Sequence, residues 1–390
     1  MHPLDTCPCR AGPPRRNAPF ARVVQQVDLG PPPLTVEEHV RAEYWCGHCR
    51  KGYDAPMPRP IETGGLVGPG RTALIAYLKG VCHASFSTVR RFPRDVVRVT
   101  ISRGQLAKVL AKVSTALDGP YQELLGRLPT EALLNVDETG HKDNGVRRWT
   151  WCFRAARCTR FTIDPRWSAD VLIEVSGRAL DGVLGCDCFS AYRRYRRECG
   201  VAVQFCLAHL IRGVEFRTPL PGPADRAYGE RWREPLRALF GVIHRRERGP
   251  AGPFQQQLQA ARDAVLRVGT TAVPPGRHAR ARANRLGQYG AACFTFATTP
   301  GVEPTNNLAE QAIRFVVIDR HITHGTRGAA GQRRSDRLWS VVATCGQQGR
   351  SVWEYLAAAV GSCCAGEAAP SLRGSGGAPR PDRAATGDQA

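Results

Sequence analysis

Two short apolar runs, each ending in an aspartate, constrain this chain more than any other feature. Ala132-Leu-Leu-Asn-Val136 leads into Asp137, and Gly182-Val-Leu-Gly-Cys186 leads into Asp187. Between them, Arg148–Phe153 and Arg160–Ile163 alternate with period two, the spacing of half-buried strands. Residues Ser168 to Leu180 carry helical spacing, with Ser168 placed to cap the N-terminus. A basic helix from Tyr192 to Glu198 and an alternating strand from Val201 to Phe205 complete the stretch. The predicted order is three sequential strands, a helix, a strand, a helix and a strand.

That order is the one expected of an α/β domain of the RNase H-like kind. In open α/β sheets, side chains at the C-terminal ends of strands face the crevice where ligands bind. Carboxylates on neighbouring strand ends can share a hard divalent cation such as Mg²⁺. With a third acid the site can hold two metals about 3.5–4 Å apart, which suits attack on a phosphodiester. An aspartate after a strand can equally be a turn former or a helix cap. Cys186 and Cys188 flank Asp187 as buried thiols around one outward carboxylate, if the strand continues.

A third acid lies in Pro304-Thr-Asn-Asn-Leu-Ala-Glu-Gln-Ala-Ile-Arg314. Asn307 and Glu310 fit the N-cap and N3 positions of a capping box. A first-turn glutamate can cap a helix and serve chemistry together.

Charge narrows the partners. The 390 residues carry 55 Lys and Arg against 34 Asp and Glu, a formal net charge of +21. Such a surface concentrates and steers polyanions, so nucleic acid is the first expected partner. No run approaches the roughly 18 apolar residues of a membrane helix, and no secretory signal is visible near Met1. The 15 cysteines are expected in a reducing cytoplasm, as metal ligands or small buried hydrophobes.

At the acidic residues the chain resembles the insertion-sequence-66 family of transposases. Val136-Asp-Glu-Thr-Gly140, Asp187-Cys-Phe-Ser-Ala-Tyr192, Cys206-Leu-Ala-His209 and Pro304-Thr-Asn-Asn-Leu-Ala-Glu310 carry the likeness, in that order. Gly325-Thr-Arg327 and the block from Leu338 to Trp353 extend it, so that it spans about residues 40–360. The resemblance implies an RNase H-like core whose catalytic, metal-binding triad is Asp137, Asp187 and Glu310, with Mg²⁺ or Mn²⁺ as cofactor. It implies cleavage at transposon ends and transfer of the 3′ hydroxyl into target DNA. DNA ends and target DNA would then be partners, with a homo-oligomer to bring two ends together and further transposition proteins as accessories. A non-catalytic DNA-binding remnant and a stand-alone nuclease are the alternatives. The family's usual Arg and Pro are replaced by Gln311 and Phe315.

Domain expectations follow. Residues 1–60 read as a zinc-ribbon-like module with Cys7, Cys9, Cys46 and Cys49 as Zn²⁺ ligands. Its first half, Cys7-Pro-Cys9, is one residue tighter than the family pattern. Residues 70–130 read as a helical DNA-binding region. Within it, Phe86 to Val113 resembles a helix-turn-helix, and Arg90, Arg91, Arg94, Arg98 and Arg103 are the phosphate contacts; an amphipathic helix pair is the alternative. The core spans 131–345. Glu310 follows Asp187 by 123 positions, so an insert of about 213–300 must interrupt it, with helices near Glu230–Glu247 and Phe254–Val268. Cys206 and His209 match a structural Cys-x-x-His pair that orders the insert, or are an ordinary buried Cys and His. A C-terminal helix over 346–363 precedes a disordered tail, 364–390.

DNA binding should be strongly salt-dependent. Each neutralised phosphate contributes roughly −0.9 to the slope of log affinity against log salt. A slope of several negative units between low and moderate salt is expected from filter binding; a slope near zero would remove nucleic acid as the main partner.

Overall fold

A computed structural model describes residues 35–215, 222–245 and 251–373. Strands β1 (Glu43–Cys46) and β2 (Lys51–Asp54) form an exposed antiparallel hairpin. The Arg50 amide closes its turn onto the Cys46 carbonyl at 2.8 Å. Five helices follow: α1 (Arg59–Gly64), α2 (Pro69–Gly80), α3 (Phe86–Val96), α4 (Arg103–Ala116) and α5 (Asp118–Arg127). Ser85 caps α3 by accepting from the Thr88 amide, and Ser102 forms a capping box with Gln105 at the start of α4. Ile75, Val89, Ile101, Leu106 and Leu110 make a small shared core among α2, α3 and the 97–102 turn into α4.

The central sheet is built from β3 (Leu133–Asp143), β4 (Val146–Arg154), β5 (Thr159–Asp164), β6 (Val183–Cys186) and β7 (Ala202–Phe205), with α6 (Ala169–Ser176) and α7 (Ser190–Cys199) as crossovers. Its order is β5-β4-β3-β6-β7. The first three strands form an antiparallel meander, while β6 and β7 lie parallel to β3 and to each other. All four residues of β6 are buried, as expected of a short apolar run covered on both faces. Strand β3 is longer than its apolar run: it pairs with β4 from Asn135 to Asp143, but with β6 only from Leu133 to Asn135.

Helix α8 (Leu207–Glu215) leads into α9 (Pro223–Ile243), α10 (Ala251–Thr270) and α11 (Arg277–Tyr289). The sequence expected the second and third; α11, rich in arginine, was missed because its apolar positions are few. Helices α12 (Asn307–Thr323), α13 (Gly328–Gln347) and α14 (Val352–Ala365) return to the sheet. Helix α13 covers the edge strand. Its Asp336, Ser340 and Thr344, spaced one turn apart, accept the amides of Ile163, Phe161 and Thr159 at 3.0, 2.9 and 3.1 Å. That row pairs backbone donors a bare edge would leave open.

Ala73, Ala76 and Val113 share one core with Val341, Leu356 and Val360, so the 70–130 region packs into the C-terminal helices and is not a separate body. The boundary at 345 falls inside α13. The tail expected to be disordered from 364 is ordered through 373. Leu372, its one large apolar residue, is fully buried; its amide donates to Glu123 at 3.0 Å, and its carbonyl accepts from Gln348 at 2.7 Å. Residues 374–390 lie outside the described residues.

Gly325 joins α12 to the β3–β4 hairpin with φ +90°, and a Cβ there would lie 2.1 Å from the Lys142 carbonyl oxygen. Next to it, the Thr326 amide donates to that carbonyl at 2.9 Å, and Asp143 accepts from the Thr326 hydroxyl and the Gly328 amide, both at 2.8 Å. Gly325→Ala should therefore cost on the order of 3 kcal/mol in denaturant unfolding. A change below about 0.5 kcal/mol, the size of an ordinary surface substitution, would show that the junction yields.

Candidate active site

Asp137 lies two residues past the last β3–β6 pair, where β3 continues without β6 beside it. Asp187 follows β6 directly. Its Oδ1 accepts from the Phe189 amide at 2.8 Å, which sets the carboxylate's orientation. The loop before α12 is stitched to β3 and to the end of β7. The Leu207 amide donates to the Pro304 carbonyl at 2.9 Å, the Asn306 amide to Cys206 Sγ at 3.1 Å, and Asn306 Nδ2 to the Val136 carbonyl at 2.8 Å. Those bonds bring the first turn of α12, and with it Glu310, beside β3 and the end of β7.

The N-cap of α12 is Asn306, not Asn307, and it makes no side-chain cap: its Nδ2 donates to Val136, and its Oδ1 is buried without a hydrogen-bond partner among the described residues. Glu310 Oε1 instead accepts from Arg212 Nη2 at 3.1 Å and lies 3.6 Å from His209 Nδ1. The capping box expected at this helix start is absent.

Burial pushes the Asp137 carboxyl up to about 7, and the neighbouring Glu138, Asp187 and Glu310 push the same way. The four acids therefore share one field. Glu138 is raised as well, by burial first, although Tyr192 and Trp167 both donate to it. Sequence reasoning missed Glu138 because it adjoins Asp137 and no spacing marks it. Burial also lowers the His209 imidazole, and Arg212 adds to that. Cys206, His209 and Glu310 place potential ligand atoms within 4.8 Å of one another. Clustered, half-buried carboxylates suit a hard divalent cation, whose charge would offset the repulsion.

Around the acids, Trp149, Trp167 and Phe189 stack in series at 4.0 and 4.3 Å. A cavity of about 550 Å³ opens beside Asp187 between the sheet and α11.

The other predicted residues lie elsewhere. Arg90 is turned inward, with Nε donating to the Ile101 carbonyl at 2.9 Å. Arg94 pairs with Asp95 at 2.7 Å, and Arg91, Arg98 and Arg103 are exposed. Cys46 and Cys49 flank the β1–β2 turn. Hydrogen bonds from Cys49, then His48, hold the Cys46 thiol below its usual range. Cys7 and Cys9 lie outside the described residues.

The family model described as Transposase IS66 family matches residues 64–334. The chain belongs to this transposase family. The matched span runs from the end of α1 into α13 and holds all three predicted acids. A transposase family implies a DNA substrate, and one of this type implies use of a divalent metal. No curated protein matches the chain. Among the described residues, no helix is long and apolar enough to cross a membrane.

The raised Asp137 carboxyl has a signed consequence. A folded-state value near 7 against 3.8 means stability present at low pH is lost as pH rises through that interval. In metal-free protein, Asp137→Asn should therefore gain in Tm over the parent as pH rises from 3.8 to about 7, by several degrees. Mg²⁺ should narrow the gap by stabilising the parent. A gap independent of pH would show that Asp137 ionises normally.

Proposed function

We propose that the chain is an active transposase with an RNase H-like core. In this reading it hydrolyses a phosphodiester at each transposon end and joins the freed 3′ hydroxyl to target DNA. One observation carries the reading: Asp137 on β3, Asp187 after β6 and Glu310 in the first turn of α12 form a single half-buried cluster, in which the latter two help to raise the Asp137 carboxyl. The five-strand order, with an antiparallel meander extended by two parallel strands, supports the same assignment.

In the first step a water oxygen bonds to phosphorus, the bond to the 3′ oxygen breaks, and that oxygen takes up a proton. In the second, the 3′ hydroxyl oxygen bonds to a target phosphorus, its proton is released, and the target's own 3′ oxygen leaves. Divalent cations, when bound by the three acids, lower the pKa of the attacking water or hydroxyl and stabilise the leaving oxygen. The chain's own residues set the geometry. The Phe189 amide orients Asp187, and the Asn306 bonds hold the start of α12 against β3. Arg212 supplies a positive charge at Glu310. Glu138, buttressed by Tyr192 and Trp167, is a positioning group behind Asp137.

DNA contacts fall to Arg91, Arg98 and Arg103 on and after α3, all exposed. Zinc at Cys46 and Cys49, with Cys7 and Cys9, belongs to the same proposal, as do a homo-oligomer at synapsis and accessory transposition proteins.

Asp137→Asn, Asp187→Asn and Glu310→Gln keep size while removing charge. Each should lower Mg²⁺-dependent cleavage and joining on the order of 10³-fold or more, and double variants should be no worse than singles. DNA binding should remain close to the parent's, and so should the melting curves of Asp187→Asn and Glu310→Gln; Asp137→Asn should melt no lower than the parent. Normal cleavage by Glu310→Gln would remove Glu310 from the triad.

A further inference from the structure

The cavity beside Asp187 has no occupant in the reaction just described. Asp187 and Phe205 lie at its sheet side, with His209 beside them; Arg193 of α7 forms one wall, and Arg285 and Tyr289 of α11 form another. Its volume of about 550 Å³ falls within the range of about 300–1,000 Å³ for sites that enclose small ligands. It can hold a nucleotide but not a length of duplex.

The lining has a chemical direction. The Arg193 guanidinium lies 5.7 Å from the Tyr289 ring centroid, and that of Arg196 lies 6.0 Å away. An aromatic face flanked by guanidinium groups is how proteins hold unpaired bases and their phosphates. Arg193 Nε is buried and has no hydrogen-bond partner among the described residues. Guanidinium geometry matches phosphate oxygens. Further along α11, Arg277 and Arg280 are exposed, continuing positive charge away from the cavity mouth.

We propose that this cavity receives one unpaired nucleotide of the DNA strand adjoining the phosphodiester under attack, its base against Tyr289 and its phosphate between Arg193 and Arg285. The proposal rests on the assignment of Asp187 to the catalytic cluster, because that residue puts the cavity at the reacting bond. A base displaced from the stack would anchor the strand at a single register and draw the helical insert onto the DNA. Unpairing costs a few kcal/mol, which contacts in the cavity must supply; a probe whose base is already unpaired should therefore bind tighter.

The test uses the full chain without divalent cation, so that no cleavage occurs. Two probes are compared: a short duplex bearing one bulged 2-aminopurine, and the same duplex with that base paired to thymine. The parent should bind the bulged probe about tenfold more tightly, as one base–aromatic stack allows, and should quench its fluorescence. Tyr289→Ala should abolish the quenching and reduce the preference to within about twofold. Arg285→Ala, at an exposed position that leaves the fold intact, should also reduce the preference while leaving the paired probe's affinity within about threefold. Equal affinity of the parent for both probes would overturn the proposal, as would an undiminished preference in Arg285→Ala. The amide variants of the acids test catalysis separately, since selectivity here is read without turnover.

Discussion

The site depends on one asymmetry in backbone pairing. Strand β3 is bonded to β4 along nearly all its length, but β6 runs beside it for three residues only. Beyond Asn135 the strand is held straight by β4, and no strand pairs with its other side before the Thr326 bridge at Asp143. Asp137 therefore sits on rigid backbone yet faces a gap. The gap is where β6 ends, so Asp187 arrives at its rim without any further device. Had β6 been several residues longer, ladder bonds would have closed the space that the acids occupy.

Bringing acids together in that gap carries an electrostatic cost, visible in the raised carboxyls of Asp137 and Glu138. Neutral hydrogen bonds from elsewhere hold the arrangement. Asn306 is central: its amide group donates to Val136, and its backbone N–H donates to Cys206 Sγ. The residue that would ordinarily cap α12 thus ties that helix to two strands. A helix capped on its own account would have satisfied itself locally and left its first turn unattached. The same Asn306 bonds bring the first turn of α12, and with it Glu310, close to the other acids.

The sheet was legible because each strand carries its own signal. Period-two alternation marks β4, β5 and β7, and a bounded apolar run marks β6. The length of β3 was not legible. Its second half, Glu138-Thr-Gly-His-Lys-Asp143, is polar and is held by β4 and by the Thr326 junction, both partners distant in sequence. Helix α11 escaped notice for the opposite reason, since an arginine-rich segment with few apolar positions gives no clear face. Of the site, the two aspartates and the glutamate stand in recognisable blocks. Glu138 does not, because its role comes from the Tyr192 and Trp167 donors that folding brings to it. Leu372 shows the same limit: one leucine in a Gly- and Pro-rich tail reads as noise until Glu123 and Gln348 are found waiting for its backbone.

Contacts distant in sequence also bind the N-terminal helices to the core. Lys79 of α2 forms a buried pair with Asp319 of α12 at 3.3 Å, and the His83 ring packs 4.3 Å from that of Phe315 on the same helix. Burial lowers the Lys79 ammonium, while Asp319 acts to raise it. Such a pair adds little net stability when intact, but either partner left alone is an uncompensated buried charge. The pair therefore works mainly as a constraint on arrangement. Helix α12 carries Glu310 at its first turn and Asp319 near its last, so one rigid rod connects the acidic cluster to the N-terminal helices and the 97–102 turn, which present Arg91, Arg98 and Arg103. In the proposed reaction, phosphate contacts made at α3 would fix where DNA lies relative to the three acids through that rod, without a hinge between binding and chemistry.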